Sequence, residues 1–222
     1  IKQKEEAAAK YFLPQQVAVG VKAGVPKLIA TVRHYRRPAN AEGEDTTVRV
    51  KIDLRNAYNE NKRAESLRCL INNPALRDLA PFFHATYSPE SRIEGMEFRS
   101  AEGEQQGDPA ASMVFCNTIH PDVVWADEQL KLSGGVSIFD MDDGYAMGPR
   151  EDVFRVLNEL GERLEERTGN VLRKPKCECY AEDPAALRDW LAEHPEYNDY
   201  SVGCLADVDA GTAEAGAGFG IM

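Results

Sequence analysis

Between residues 46 and 164 the apolar residues change period repeatedly, and this switching limits the folds open to the chain more than any other feature. Thr46 to Leu54 alternates, with Val48, Val50 and Ile52 set against Arg49, Lys51 and Asp53, the pattern of a half-buried strand. Asn61 to Ile71 and Pro74 to Tyr87 read as helices. Arg92 to Arg99 reads as a hairpin turning at Glu94-Gly95. Pro109 opens an apolar helix to about Trp125, since proline suits a helix's first turn. Gly135 to Phe139 is a short apolar strand, Asp142-Asp143-Gly144 a turn, and Tyr145 to Met147 the returning strand. From Pro149 onward, Val153, Phe154, Leu157, Leu160 and Leu164 fall on one side of a helix. Helices are also expected at Glu5 to Lys10, Pro26 to Arg36 and Pro184 to Ala192, with a polar loop from Pro38 to Asp45. The tail from Gly203, rich in Ala and Gly, shows no clear pattern. This order predicts an α+β domain with an antiparallel sheet.

The 222 residues are ample for a core, and 43% hydrophobic with 28% charged residues is ordinary for a soluble globular chain. That balance excludes a disordered tail, a collagen and a disulfide-stapled miniprotein. No stretch approaches the ~20 apolar residues that span a membrane. The chain opens Ile1-Lys2-Gln3-Lys4, with no Met and no apolar signal region, so we expect an excerpt of a longer chain and nothing argues for secretion. Five Cys without a regular framework fit a reduced intracellular compartment, nuclear or cytoplasmic. The net charge of −11 speaks by itself against a nucleic-acid partner. Residues 1–70, however, carry 14 Lys and Arg against 8 Asp and Glu, while residues 71–222 carry 12 against 29. A basic first third could steer an anion to one end; a solvated acidic surface on the C-terminal helices is the plainer reading.

Three acids stand out. Asp53 ends the alternating strand, and Asp142 and Asp143 sit at a tight turn. If the two elements are sheet neighbours, strands ~4.8 Å apart make the carboxylates converge. Clustered carboxylates repel unless a cation joins them, and oxygen-only ligands select a hard ion such as Mg²⁺. Two such ions ~4 Å apart would stabilise both oxygens of a phosphoryl displacement. Alone, Asp-Asp-Gly is also an ordinary hairpin turn.

The acids belong to a longer pattern. Lys51-Ile52-Asp53-Leu54-Arg55-Asn56-Ala57-Tyr58-Asn59 resembles motif A of reverse transcriptases, an Asp with an aromatic five residues on. Gln105-Gln106-Gly107-Asp108-Pro109 resembles motif B, and Phe139-Asp140-Met141-Asp142-Asp143-Gly144 resembles motif C. Gly169, Leu172 and Lys176-Cys177-Glu178 are similar to motif D, and Gln16, Gly20 and Gly24 to the segment before motif A in non-LTR retrotransposon enzymes. Order and spacing agree from about Pro14 to Tyr180, which identifies the chain as resembling the reverse-transcriptase domain of a non-LTR retroelement.

The resemblance implies one fingers-and-palm domain over 1–222, with a ferredoxin-like palm sheet packed on helices and no thumb. Residues 1–45 and 59–100 would be the finger-like and helical parts, and 46–58 and 100–180 the palm motifs. It implies RNA-directed DNA synthesis with an RNA template, a DNA primer, deoxynucleoside triphosphates and two Mg²⁺, or Mn²⁺ in their place. No membrane is involved, and the remaining domains of a polyprotein would be its neighbours. Asp53, Asp142 and Asp143 would be the catalytic, metal-binding acids, joined by the carbonyl of Leu54. Tyr58 would exclude a ribose 2′-OH, or be simply core. Gln106 and Gly107 would approach nucleotide and template; Asp108 and Pro109 also suit a helix entry. Lys176 would lie near the triphosphate as a proton donor to pyrophosphate. Arg33, Arg36 and Arg37 could contact template phosphates, or sit solvated at a helix end.

Three departures qualify this. Asp140 stands where motif C has an aromatic residue, adding charge that could tighten ion binding or raise a carboxylate pKa. The fingers are less basic than usual, and the chain stops where a thumb would begin. Cys177, Cys179 and His194 fit no zinc spacing well. Beside an active polymerase stands a second reading, an inactive reverse-transcriptase-like remnant that binds nucleic acid or protein.

Overall fold

The computed structural model describes residues 4–36, 46–88, 91–92, 99–105, 107–197 and 199–204. Its centre is a five-stranded sheet in the order β5-β6-β1-β8-β9. β1 (Thr47–Ile52) lies in the middle, antiparallel to β6 (Asp143–Pro149) on one side and to β8 (Glu178–Ala181) on the other. β5 (Val136–Asp140) closes a hairpin onto β6, and β9 (Ser201–Cys204) runs parallel to β8. The alternation read from the sequence decides the register. Val48, Val50 and Ile52 pair with Gly148, Ala146 and Gly144, and all three are buried.

That face is covered by α6 (Ala111–Lys131) and α7 (Arg150–Thr168). α6 is apolar on most sides because it lies between the sheet, α4 (Arg63–Asn72) and α7, with α1 (Glu5–Phe12) against it. Phe115 on α6 and Phe154 and Leu157 on α7 are wholly buried, each contributing about 1.5–3 kcal/mol. α7 has Glu151 and Asp152 in its first turn, favourable to the helix dipole, and ends on Gly169 at φ 83°, where glycine adopts the left-handed cap without a Cβ clash. Near its end Arg167 ties three helices together, bonding Asp122 and the Thr118 carbonyl of α6 and Glu65 of α4.

On the opposite face, at the β5–β6 end, Leu28 and Val32 of α2 (Gly24–His34) pack together with Val17 on Ile138, Tyr145 and Met147. Gly24 is needed here: a Cβ would sit 2.0 Å from the Val17 carbonyl oxygen. The outer edge of β5 is occupied by the preceding segment, since Val17 N donates to Phe139 O (2.8 Å) and Phe139 N to Gln15 O (2.7 Å).

The structure shifts several expected boundaries. α6 runs six residues past Trp125, and the 74–87 helix becomes α5 (Ala80–Tyr87) preceded by a turn. Asn73 causes that delay: its side-chain oxygen accepts from Ala75 N and its carbonyl from Leu76 N and Arg77 N. β3 (Ser91–Arg92) pairs with β4 (Arg99–Ser100) as the hairpin requires, while Glu94-Gly95 lie outside the described residues. α8 (Pro184–Glu193) starts where Asp183 caps the amides of Ala185 and Ala186. The short pair β2 (Leu54–Arg55) and β7 (Val171–Leu172) and the strands β8 and β9 have no counterpart in the sequence reading.

Candidate active site

β1 and β6 deliver the acids to one end of the sheet. Ile52 is opposite Gly144, so the next residue along each strand brings Asp53 beside Asp143. Asp140 pairs with Asp143, which leaves Met141 and Asp142 as the two-residue loop. The turn is therefore one position earlier than Asp142-Asp143-Gly144, and Asp143 starts the returning strand. Met141 takes φ 59°, the left-handed region such a tight hairpin demands. Gly144 has no room for a side chain, because a Cβ would meet the Phe139 ring at 2.3 Å.

The electrostatics follow from this crowding. Burial raises the pKa of Asp142, and Asp53 adds to the effect. Asp143 is raised by burial and then by Asp142, Asp140 and Asp53, with Lys51 opposing. Asp140 is raised by burial and Asp142. Asp53 Oδ2 is buried without a hydrogen-bond donor, and Arg173 Nε lies 3.8 Å away. Asp140, Asp142 and Asp143, raised by burial and by neighbouring carboxylates, lie beside Asp53 with its unmatched buried oxygen, and such a donor set suits a hard divalent cation. As they stand, no three Asp, Glu, His or Cys side chains among the described residues are grouped to hold a metal ion.

Around the acids, Tyr58 on α3 (Ala57–Glu60) stacks on Phe115, centroids 4.6 Å apart. Its hydroxyl lies 3.2 Å from both Ser112 Oγ and Met141 Sδ, and burial pushes its pKa up to about 12. The ring is thus fixed between α6 and the acid-bearing hairpin. Leu54 follows Asp53 in β2, opposite Leu172. Gly107, at φ 92°, is exposed with open space where a side chain would be, while Gln106 lies outside the described residues. Asp108 serves the entry to α6 as its sequence position suggests, accepting from Ala110 N at 2.8 Å. It also accepts from the Tyr87 hydroxyl at 2.5 Å. Arg33 and Arg36 are exposed at the end of α2, where Arg36 bonds the carbonyls of Arg33 and Tyr35; Arg37 lies outside the described residues. Lys176 is exposed in the 3-10 turn Lys174–Lys176, and it is Arg173 that pairs with Asp53. Cys177 is a core thiol whose Sγ accepts from Asp53 N (3.4 Å), and burial raises both Cys177 and Cys179.

Sequence reasoning missed the support beneath this site. Glu104, 2% exposed, accepts from Asn61 Nδ2 (3.0 Å) and Ser66 Oγ (2.8 Å), and its amide donates to the Tyr58 carbonyl (2.8 Å). Asn170 donates to Asn61 Oδ1, and Arg63 Nε to the Gly103 carbonyl. The motif-B-like loop is thereby locked to the helix that carries Tyr58. A lone Glu in a polar loop gives no signal of burial; its partners are 38 and 43 residues away.

Solved structures with a similar fold exist. Apo telomerase from Candida tropicalis matches with a TM-score of 0.55 at 11% identity, covering 79% of this chain and 35% of that one. The fold is shared with telomerase. The C. tropicalis telomerase truncated from its C-terminal domain matches at 0.53 and 15% identity over 79% of this chain and 38% of that one. Telomerase from Candida albicans, in complex with a TWJ fragment of telomeric RNA, matches at 0.55 and 11% identity, covering 82% and 34%. The chain thus spans about a third of the length of these telomerase chains. The α+β fold with an antiparallel sheet expected from the sequence is present, and it is similar to the fold of these telomerases. No family model and no curated protein matches the sequence. No helix among the described residues is long and apolar enough to cross a membrane.

Proposed function

We propose that this chain is the fingers-and-palm part of an RNA-directed DNA polymerase of a non-LTR retroelement, a segment of a longer polyprotein. The observation that carries the proposal is the convergence of Asp53 with Asp142 and Asp143 at one end of the β1–β6 pair. Asp53, Asp142 and Asp143, with the Leu54 carbonyl, would hold two Mg²⁺ ions, or Mn²⁺. The ions would supply charge neutralisation at the attacking and leaving oxygens. In the reaction the primer 3′-OH loses its proton and bonds the α-phosphorus of a deoxynucleoside triphosphate, and the bond to pyrophosphate breaks. Tyr58, fixed by Phe115, Ser112 and Met141, presents its ring to the sugar and excludes a 2′-OH. Gln106 would serve nucleotide and template binding, the open backbone at Gly107 would let them approach closely, and Lys176 gives a proton to pyrophosphate. Arg33, Arg36 and Arg37 take template phosphates.

Asp140 favours a second reading, a non-catalytic nucleic-acid or protein binding module, because it adds a carboxylate whose charge Asp142 already opposes. Calorimetric titration with Mg²⁺, followed by extension of a primed RNA template, separates the two. The polymerase reading expects Mg²⁺ binding that Asp142→Asn abolishes, together with any extension. Extension that survives Asp142→Asn refutes the metal assignment, and no Mg²⁺ binding at millimolar concentration leaves the binding module.

A further inference from the structure

Arg173 belongs to no role above, yet it touches Asp53 twice. Its backbone N–H donates to the Asp53 carbonyl at 2.9 Å, and its Nε stands 3.8 Å from Asp53 Oδ2. β7 and the turn Lys174–Lys176 fix this approach: Leu172 is opposite Leu54, and the Cys177 thiol that follows accepts from Asp53 N. The backbone on both sides of Arg173 is therefore tied to the Asp53–Leu54 strand. The guanidinium faces a buried carboxylate oxygen that lacks a hydrogen bond, at a distance too long to make one. Both side chains remain more than a third exposed, so the pair is loose and can part.

We propose that Arg173 is a resident counter-cation: it holds the Asp53 carboxylate when no metal is bound, yields it to a divalent ion, and then takes the polyphosphate of the incoming nucleotide. The inference rests on the polymerase reading of the site. A guanidinium is permanently charged and its planar donors match phosphate oxygens in pairs, so it suits both anions in turn. Lys174 and Lys176 on the adjoining turn extend the same cationic edge. The exchange keeps the local charge balanced. The carboxylate cluster is opposed by Arg173 and Lys51 before metal arrives, and the guanidinium is released as the triphosphate brings new negative charge.

The test measures Mn²⁺ binding to the 222-residue chain by the paramagnetic resonance of free Mn²⁺, then dTTP binding by calorimetry at saturating Mn²⁺. Arg173→Gln removes the charge at nearly the same size. It should bind Mn²⁺ about three- to fivefold more tightly, the scale of one part-exposed ion pair. It should bind dTTP about tenfold more weakly, the loss of one charge-assisted contact. Arg173→Lys keeps the charge and should leave Mn²⁺ affinity near that of the parent chain, with dTTP affinity between the two. Unchanged or weaker Mn²⁺ binding by Arg173→Gln, where Asp53→Asn abolishes it, refutes the counter-cation. Unchanged dTTP binding refutes the phosphate role. If the parent chain binds no Mn²⁺, or Asp53→Asn binds it equally well, the polymerase reading itself falls and this inference with it.

Discussion

Glu104 should make the stability of the fold depend on pH in a way that one substitution removes. Its carboxyl is buried against Asn61, Ser66 and Thr118, the last reaching it through Ser66 Oγ. Burial raises its pKa from an ordinary 4.5 to about 7, although the bonds from Ser66 and Asn61 and the charge of Arg63 pull the other way. In the unfolded chain the proton leaves near pH 4.5; in the folded chain it stays until about pH 7. Between those values the folded state binds more protons, so unfolding free energy falls as pH rises. The 4.5-to-7 shift amounts to about 3 kcal/mol at about 1.36 kcal/mol per unit. The stabilising contribution is complete below pH 4.5 and lost by about pH 7. Glu104→Gln cannot titrate, and the remaining groups, Asp140, Asp142 and Asp143 among them, cancel when the two proteins are compared. Urea unfolding at pH 4.5, 6 and 8 should show the parent losing about 3 kcal/mol relative to Glu104→Gln across the series. Parallel stability curves, within about 0.5 kcal/mol of a constant offset, would mean that Glu104 is not buried as an acid.

Arg167→Ala leaves Asp122, 1% exposed, without its main counter-charge; urea unfolding should show a loss of about 3–5 kcal/mol. The Glu65 carboxyl is held down at about 2 by Arg68 first and by Arg167 after it, so in the same variant it should rise only part of the way toward its ordinary 4.5, Arg68 remaining, visible as a shifted side-chain NMR titration. Gly103→Ala forces a side chain into a backbone at φ 76°, with its Cβ 2.4 Å from the Asn59 carbonyl oxygen, and should cost about 1–3 kcal/mol or more in thermal unfolding. In primer extension Tyr58→Ala should admit ribonucleotides more readily while Tyr58→Phe, which keeps the stack on Phe115, should not. Equal discrimination in all three proteins would make Tyr58 a core residue only.

The parts of the fold that were legible are those whose own residues carry the pattern. β1 announced its buried face through Val48, Val50 and Ile52, and α7 its stripe from Val153 to Leu164. β7 and β8 were not legible, because two- and four-residue strands leave too few periods to detect and the run Arg173-Lys174-Pro175-Lys176 reads as a loop. The hairpin turn was displaced by one residue because Met141 is a poor candidate for positive φ, and only the pairing of Asp140 with Asp143 reveals that it takes that role. The acids were legible as types at a spacing, but their surroundings were not. Arg173 beside Asp53 and Glu104 beneath Tyr58 depend on segments more than 40 residues apart meeting in space.

Met141 sets local comfort against connection. At φ 59° it occupies a conformation that glycine or asparagine would enter more cheaply, so Met141→Gly or Met141→Asn should relax the hairpin tip. Yet its sulfur is what the Tyr58 hydroxyl reaches, 83 residues away in the chain. A sequence selected for foldability alone would drift from methionine at this position, and a library screened only for thermal resistance should lose it. A library screened for both resistance and sugar discrimination should keep it, which makes position 141 a marker of which demand a population of variants has met.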